Sequence, residues 1–362
     1  MFTLDDEFNV ELKSDMPDIL QQIVDYAREE KCSDIHLATN DYPAFRINGK
    51  IRRNEFMPKL TEEIMQELIQ YTVKNSDLED VGESYTDLDY CFEEFNGTRY
   101  RMNVFKKQGN SGIVMRVLRN NIATLDDLQM PHSLYDLLEQ PNGLILVTGP
   151  TGSGKSSTIA ALIEHLNQAK CFHIITFEDP IEYVYKPAQS LISQREIHKD
   201  TASFTDAIRA ALREDPDVIF VGEMRDTETI SATLTAAETG HLVFSTLHTT
   251  SASKTIDRII DVFPGEKQAQ IKTQLATTLR AVISQVLVPT ADGCSRIPAI
   301  EVMVVNDAIA TYIRNNQKNM IESEMQARQS LGMISMKRYL EQLIRDGKVR
   351  EEDVRIHLRN KG

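Results

Sequence analysis

At 362 residues the chain has room for two or three domains. Its 41% hydrophobic and 26% charged residues exclude a disordered or collagen-like polymer and a small disulfide-stapled fold. The 40 Lys and Arg against 54 Asp and Glu leave a net charge of −14, which argues against a protein whose main work is gripping a nucleic-acid backbone. The four cysteines, Cys32, Cys91, Cys171 and Cys294, are scattered with no C-x-x-C pair, which speaks against a zinc knuckle and a dithiol motif.

In chain order, the first twelve residues read as a loose arm, acidic and without a signal-peptide core. Asp15 is placed to cap a helix with Pro17 in its first turn and Leu20, Ile23, Val24 and Ala27 as its apolar stripe. Short strands are expected at 35–38, 44–47 and 50–53, the last two joined by a turn at Asn48-Gly49, then a helix over 62–73. A second group of strands is expected at 88–95, 99–105 and 111–118, broken at Asn96-Gly97 and at Gln108-Gly109-Asn110. Residues 1–120 thus read as a small mixed α+β domain and 121–142 as a linker with short helices.

Beyond the linker the pattern changes to apolar strands alternating with helices. Strands are expected at 144–148, 173–177, 218–221 and 242–246, and helices at 155–166, 203–213, 229–237 and 252–260. That alternation is the signature of an α/β domain with a mostly parallel sheet, taken to cover 143–305. The tail, 306–362, reads as helical, with Leu340 and Leu343 among its core candidates. The longest apolar runs are strand-sized, so no membrane span is expected, and the protein is expected in the cytoplasm or at a membrane through partners.

The strongest local signal is Gly149-Pro150-Thr151-Gly152-Ser153-Gly154-Lys155-Ser156-Ser157, which fills the G-x-x-x-x-G-K-S/T pattern between an apolar strand and a helix former. Its glycines let the backbone curl so that N–H groups point at phosphate oxygens, and the helix start adds further donors. Lys155 is expected to reach the β- and γ-phosphates of ATP, and Ser156 to hold Mg²⁺. In a parallel sheet the other strand ends converge on this edge, which brings in Glu178 and Glu223 as carboxylates able to hold magnesium or polarise the attacking water. Glu223 is the expected general base and Glu178 a second water- or metal-positioning group. His248 ends the strand over 242–246 and is placed to sense the γ-phosphate, whereas His241 lies at the opposite end and holds structure or bridges subunits. The spread charge of phosphoryl transfer calls for more cations, and Arg101, Arg116, Arg195 and Arg225 are the candidates. No acidic site is evident beside Arg101 or Arg116, which leaves a solvated surface or a finger reaching an ATP site between domains or subunits.

Four collinear stretches carry a family resemblance: the phosphate loop GPTGSGKSS, then IITFEDPIEYV (174–184), LREDPDVIFVGEMRDTETI (212–230) and TAAETGHLVFSTLHTTSA (235–252), with SQRE (193–196) in its place between the second and third. The chain resembles the secretion-superfamily hexameric ATPases, specifically the PilT-like retraction motors of type IV pili. The resemblance implies a PAS-like first domain, a RecA-like second domain and a homo-hexameric ring with ATP between the two domains and a neighbour's arginines close by. It further implies coupling to a polytopic platform protein of the inner membrane, and other pilus ATPases as further partners, with no direct nucleic-acid contact. The absence of a four-cysteine zinc motif favours the retraction branch over the extension and type II secretion branches. The stretch Ala308-Ile309-Ala310-Thr311-Tyr312-Ile313-Arg314-Asn315 agrees with a C-terminal PilT motif at Ala308, Ile309, Ile313 and Arg314. Its departures keep open an accessory motor of the PilU kind or a secretion ATPase of the DotB kind. A P-loop kinase would need an acceptor pocket that no stretch suggests, and a nucleic-acid translocase would need basic surfaces.

Overall fold

A computed structural model gives the structure of residues 16–47, 49–76, 78, 86–118 and 121–359, in two compact units, Met1–Asn120 and Asn121–Gly362. The expected N-terminal arm, the cap Asp15 and the turn residue Asn48 lie outside the described residues.

In the first unit, helix α1 (Asp18–Glu29) begins after Pro17, which stands at the N-cap rather than in the first turn: its ψ of 132° is extended, not helical. The α1 stripe Leu20, Ile23, Val24 and Ala27 is buried, as its spacing predicts. The strands are β1 (Asp34–Ala38), β2 (Ala44–Ile47), β3 (Lys50–Arg53), β4 (Asp87–Glu93), β5 (Arg99–Lys107) and β6 (Asn110–Leu118), with α2 (Glu62–Lys74) after β3. They form one antiparallel sheet in the order β3-β2-β1-β6-β5-β4. Alternation selects its buried face: Ile35, Leu37, Phe45, Met102, Val104, Ile113 and Met115 pack with the stripes of α1 and α2 in one core.

In the second unit a seven-stranded sheet runs β13-β12-β7-β11-β10-β8-β9. Strands β7 (Gly143–Thr148), β8 (His173–Glu178), β10 (Val218–Val221) and β11 (Leu242–Leu247) match the expected runs and pair in parallel. Three strands were not expected: β9 (Leu191–Glu196), β12 (Leu279–Pro289) and β13 (Arg296–Val304), the last antiparallel at the far edge. Strand β9 is a half-exposed edge with a polar run, and β12 follows helix α8 (Gly265–Thr278) with no turn residue between them, so neither shows a boundary in the sequence.

Both faces of this sheet are covered, which is why its central strands read as continuous apolar runs. Leu144 and Leu146 of β7 face a core shared with α5 (Phe204–Ala211), α6 (Thr227–Glu238), α7 (Ala252–Asp261), α8, α9 (Asp307–Arg314) and α10 (Asn319–Ala327). Ile145 and Val147 face the opposite core, with α3 (Ser133–Leu137), α4 (Lys155–Ala169), α11 (Met336–Arg345) and α12 (Glu351–Arg359). The tail is helical, and Leu340 and Leu343 are buried in it. Among the described residues no helix is long and apolar enough to cross a membrane.

Candidate active site

The phosphate-loop candidate is residues 149–154, leaving β7 and entering α4. Gly149 (φ +151°) and Gly154 (φ +88°) hold backbone conformations that L side chains rarely adopt. A Cβ at Gly149 would stand 2.2 Å from the carbonyl oxygen of Gln285, and one at Gly154 would stand 2.8 Å from its Nε2. The loop is therefore pressed onto β12, and only glycine fits at both positions. At its mouth Lys155 folds over the loop, Nζ donating to the carbonyls of Gly149 (2.8 Å) and Pro150 (3.2 Å). Burial pushes the Lys155 ammonium below its ordinary value, against the opposing pull of Glu223 and Glu182.

Parallel pairing carries the other strand ends to the same edge. One cleft is lined by Thr151, Gly152, Lys155 and Ser156 from the loop and α4, by Glu178 at the end of β8 with Asp179 and Tyr183 beyond it, by Glu223 and Arg225 after β10, and by His248 after β11. Glu223 is engaged at both oxygens: Oε1 lies 3.0 Å from His248 Nε2 and Oε2 lies 2.8 Å from Arg225 Nη2. The Glu223 loop is itself fixed, Gly222 N–H donating to Phe177 O (2.8 Å) and Thr246 Oγ1 to Gly222 O (2.6 Å).

Glu178 differs in kind. It is the last residue of β8, buried, and its Oε1 accepts from Thr176 Oγ1 (2.7 Å) and Gln194 Nε2 (3.2 Å). Burial pushes its carboxyl up to about 7, the hydrogen bonds pulling the other way. Gln194 also clamps the following segment, donating to Tyr183 O (2.8 Å) and accepting from Tyr185 N–H (2.9 Å), while the Tyr183 hydroxyl lies 2.8 Å from Ser157 Oγ.

The remaining candidates fall elsewhere. His241 is at the other end of β11, about 20 Å of strand away, with Nδ1 2.9 Å from Ala236 O. Arg195 is drawn into its own surroundings, donating to Glu214 Oε1 and Asp200 O, each at 3.2 Å, with its guanidinium over the Phe177 ring. Arg101 and Arg116 are exposed in the first unit, opposite each other on β5 and β6. The expectation of no acid beside them is corrected for Arg116, whose Nε donates to Asp34 Oδ1 at 3.0 Å. The β1–β6 register sets Asp34 opposite Arg116, a pairing 82 residues apart that only the sheet reveals.

Sequence reasoning missed Gln194, Tyr183, Thr176 and Gln285. Gln194 sits in the SQRE stretch, which offers a signal, whereas a glutamine inside an apolar run offers none. The residues present fit a magnesium nucleotide. Ser153 Oγ is buried with no hydrogen-bond partner beside the first turn of α4, whose N–H groups lie beyond the reach of any helical carbonyl. The cleft offers hydroxyl and carboxylate oxygens, the hard donors that suit Mg²⁺. Among the described residues no group of three or more His, Cys, Asp or Glu side chains is arranged to hold a metal ion.

Comparison with known proteins agrees with this geometry. Residues 11–358 match the family described as "Type II/IV secretion system protein". The chain is 42% identical over 336 residues to the type IV pilus retraction ATPase PilT of Pseudomonas aeruginosa, covering 93% of this chain and 97% of that protein. It is 43% identical over 318 residues to a twitching motility protein of Neisseria gonorrhoeae, covering 88% and 84%. The solved structure of the pilus retraction motor PilT with bound ADP superimposes with a TM-score of 0.85 at 42% identity, over 96% of this chain and 98% of that one.

Proposed function

Because the chain belongs to the type II/IV secretion system protein family and is an ATP-hydrolysing motor of its PilT-like kind, we propose that the work it drives is retraction of a type IV pilus. The observation that carries the reading is the single cleft in which Lys155 of the phosphate loop stands with a carboxylate, Glu223, held by an imidazole and a guanidinium.

In this reading the loop N–H groups and Lys155 bind the phosphate chain, Lys155 leaving the carbonyls of Gly149 and Pro150 for phosphate oxygens. Ser156 supplies a hydroxyl to Mg²⁺, and Glu223 or Glu178 supply carboxylates to its shell. The metal, when bound, neutralises charge on the phosphates. Glu223 accepts the proton of the water that attacks the γ-phosphorus as the bond to the bridging oxygen breaks, and ADP and phosphate leave. His248 and Arg225 aim the Glu223 carboxylate and are placed to respond to the γ-phosphate. Arg101 and Arg116 serve as the additional cations, supplied across a homo-hexamer. The first unit, an antiparallel sheet backed by two helices, we read as PAS-like, and the platform protein of the inner membrane as the partner through which force passes.

Two measurements test the reading. Mg²⁺-dependent ATPase activity is expected to be abolished in Lys155→Ala and in Glu223→Ala, and wild-type turnover in either sinks the site assignment. Deleting the gene in its host is expected to give hyperpiliated, non-retracting cells. Normal piliation with a secretion defect would instead assign the motor to a secretion system.

A further inference from the structure

The phosphate loop has a support that its own sequence does not contain. Gln285, on β12 one residue past the Ser284–Thr148 pairing, is 2% exposed and lies beneath the loop. Both ends of its carboxamide are used. Nε2 donates to Ser153 O at 2.6 Å, and Oε1 accepts from Thr158 Oγ1 on α4 at 2.8 Å. A carbonyl can only accept, so the contact with Ser153 O fixes which end of the amide is nitrogen, and the Thr158 hydroxyl completes the assignment. Thr158 is fully buried, and the Gln285 backbone oxygen closes the floor beneath Gly149.

We propose that Gln285 is a positioning residue for nucleotide binding, which sets the orientation of the Ser153–Gly154 peptide in the phosphate loop. In a planar trans peptide the C=O and N–H point in opposite directions. Pinning Ser153 O to Gln285 Nε2 therefore turns the Gly154 N–H away from the strand, to the side on which a phosphate chain is bound. Gly154, left-handed and without a side chain, has the freedom to let this peptide rotate, so the loop's own residues do not hold it. The inverted peptide would present a carbonyl oxygen where phosphate oxygens must sit. Thr158 acts one step further out, by keeping the carboxamide from turning over. The inference rests on the cleft being the nucleotide site.

The test uses the full-length protein as it assembles, with Gln285→Met, which keeps length and apolar volume but removes both hydrogen bonds, and Thr158→Val, which removes a single hydroxyl. ADP affinity, KM for ATP, kcat and the melting temperature without nucleotide are measured for each. Gln285→Met is expected to weaken ADP binding and raise KM by roughly tenfold or more, the scale of one buried hydrogen bond. The change in kcat is expected to be smaller. Thr158→Val is expected to shift the same two constants in the same direction by about two- to fivefold. In the double variant the effects are expected to be less than multiplicative, because both act through one carboxamide. Wild-type ADP affinity and KM in a folded Gln285→Met protein, or a fall in kcat alone, would overturn the proposal. If Gln285→Met does not fold, Thr158→Val decides by the same criterion. Lys155→Ala run alongside separates the two levels: wild-type ADP binding and turnover there would remove the cleft assignment itself, whereas loss there with normal Gln285→Met and Thr158→Val removes only the role of Gln285.

Discussion

Glu223 and Glu178 are both acids at strand ends, yet their surroundings give them different chemistry. Glu223 has a guanidinium at one oxygen and an imidazole at the other and sits half-buried in the cleft. If, as proposed, the imidazole aims the Glu223 carboxylate in the transition state, His248→Ala is expected to lower kcat by roughly ten- to a hundredfold with a smaller change in KM. Steady-state kinetics check this. Glu178 is buried with neutral donors, and its carboxyl is pushed from 4.5 to about 7. A raised carboxyl pKa means that the folded state holds the proton while the unfolded chain releases it. Stability from this group is therefore full below 4.5 and falls as pH rises towards 7, after which the loss is constant. Glu178→Gln keeps the acceptor oxygen and cannot ionise. Its melting temperature is expected to gain on wild type between those two values and to hold a constant lead above them. A lead independent of pH would show that burial does not perturb this carboxyl.

At the level of elements, the site is an arrangement of strand ends. Loops leaving β8, β10 and β11 meet the loop leaving β7 because the four strands are parallel and adjacent. Side-chain caps anchor the far ends of two of these loops: Asp226 for α6, after β10, and Ser251 for α7, after β11, each accept a backbone N–H of the helix they open. The phosphate loop is constrained more tightly, since β12 leaves no room beneath it. Gly149→Ala would drive a Cβ against a backbone oxygen that cannot move without shifting the strand. It is expected to cost about 1–3 kcal/mol of stability and to abolish ADP binding, read by chemical denaturation and by calorimetric titration. Unchanged ADP affinity would mean that the loop has slack the close approach does not suggest.

At the scale of the molecule, the expected assembly makes a prediction about mixtures. If Arg101 acts on a neighbour's nucleotide, Lys155→Ala and Arg101→Ala proteins, each nearly inactive alone, are expected to recover part of the ATPase activity when mixed. Each Lys155→Ala subunit then lends its arginine to an intact site next to it. If Arg101 acts within its own chain, the mixture stays as inactive as its parts. Light scattering with ATP bound at micromolar concentration is expected to report a hexamer, and a monomer there would count against the ring.

Among the described residues, periodicity and turn chemistry were enough to place the six strands and two helices of the first unit and the four central strands of the second: most bury an apolar stripe or run that local residues encode, while β3, exposed at all four residues, was marked by the turn at Asn48-Gly49 before it. The phosphate loop and the residues at strand ends 178, 223 and 248 were legible for the same reason: Gly-Lys-Ser spacing and strand ends are local facts. Strands β9 and β12 were not legible, since an edge strand needs no apolar pattern and β12 begins where a helix stops without a turn. Nor were the partners of the chemistry. That Asp34 faces Arg116, that Glu178 is held by Gln194, and that Gln285 supports the loop from more than a hundred residues away are consequences of sheet order and register. The sequence by itself determined which groups are chemically competent. The tertiary structure decided which of them share a cleft and what holds each in place, because burial and hydrogen-bond pairing between distant segments exist only once the sheet has closed.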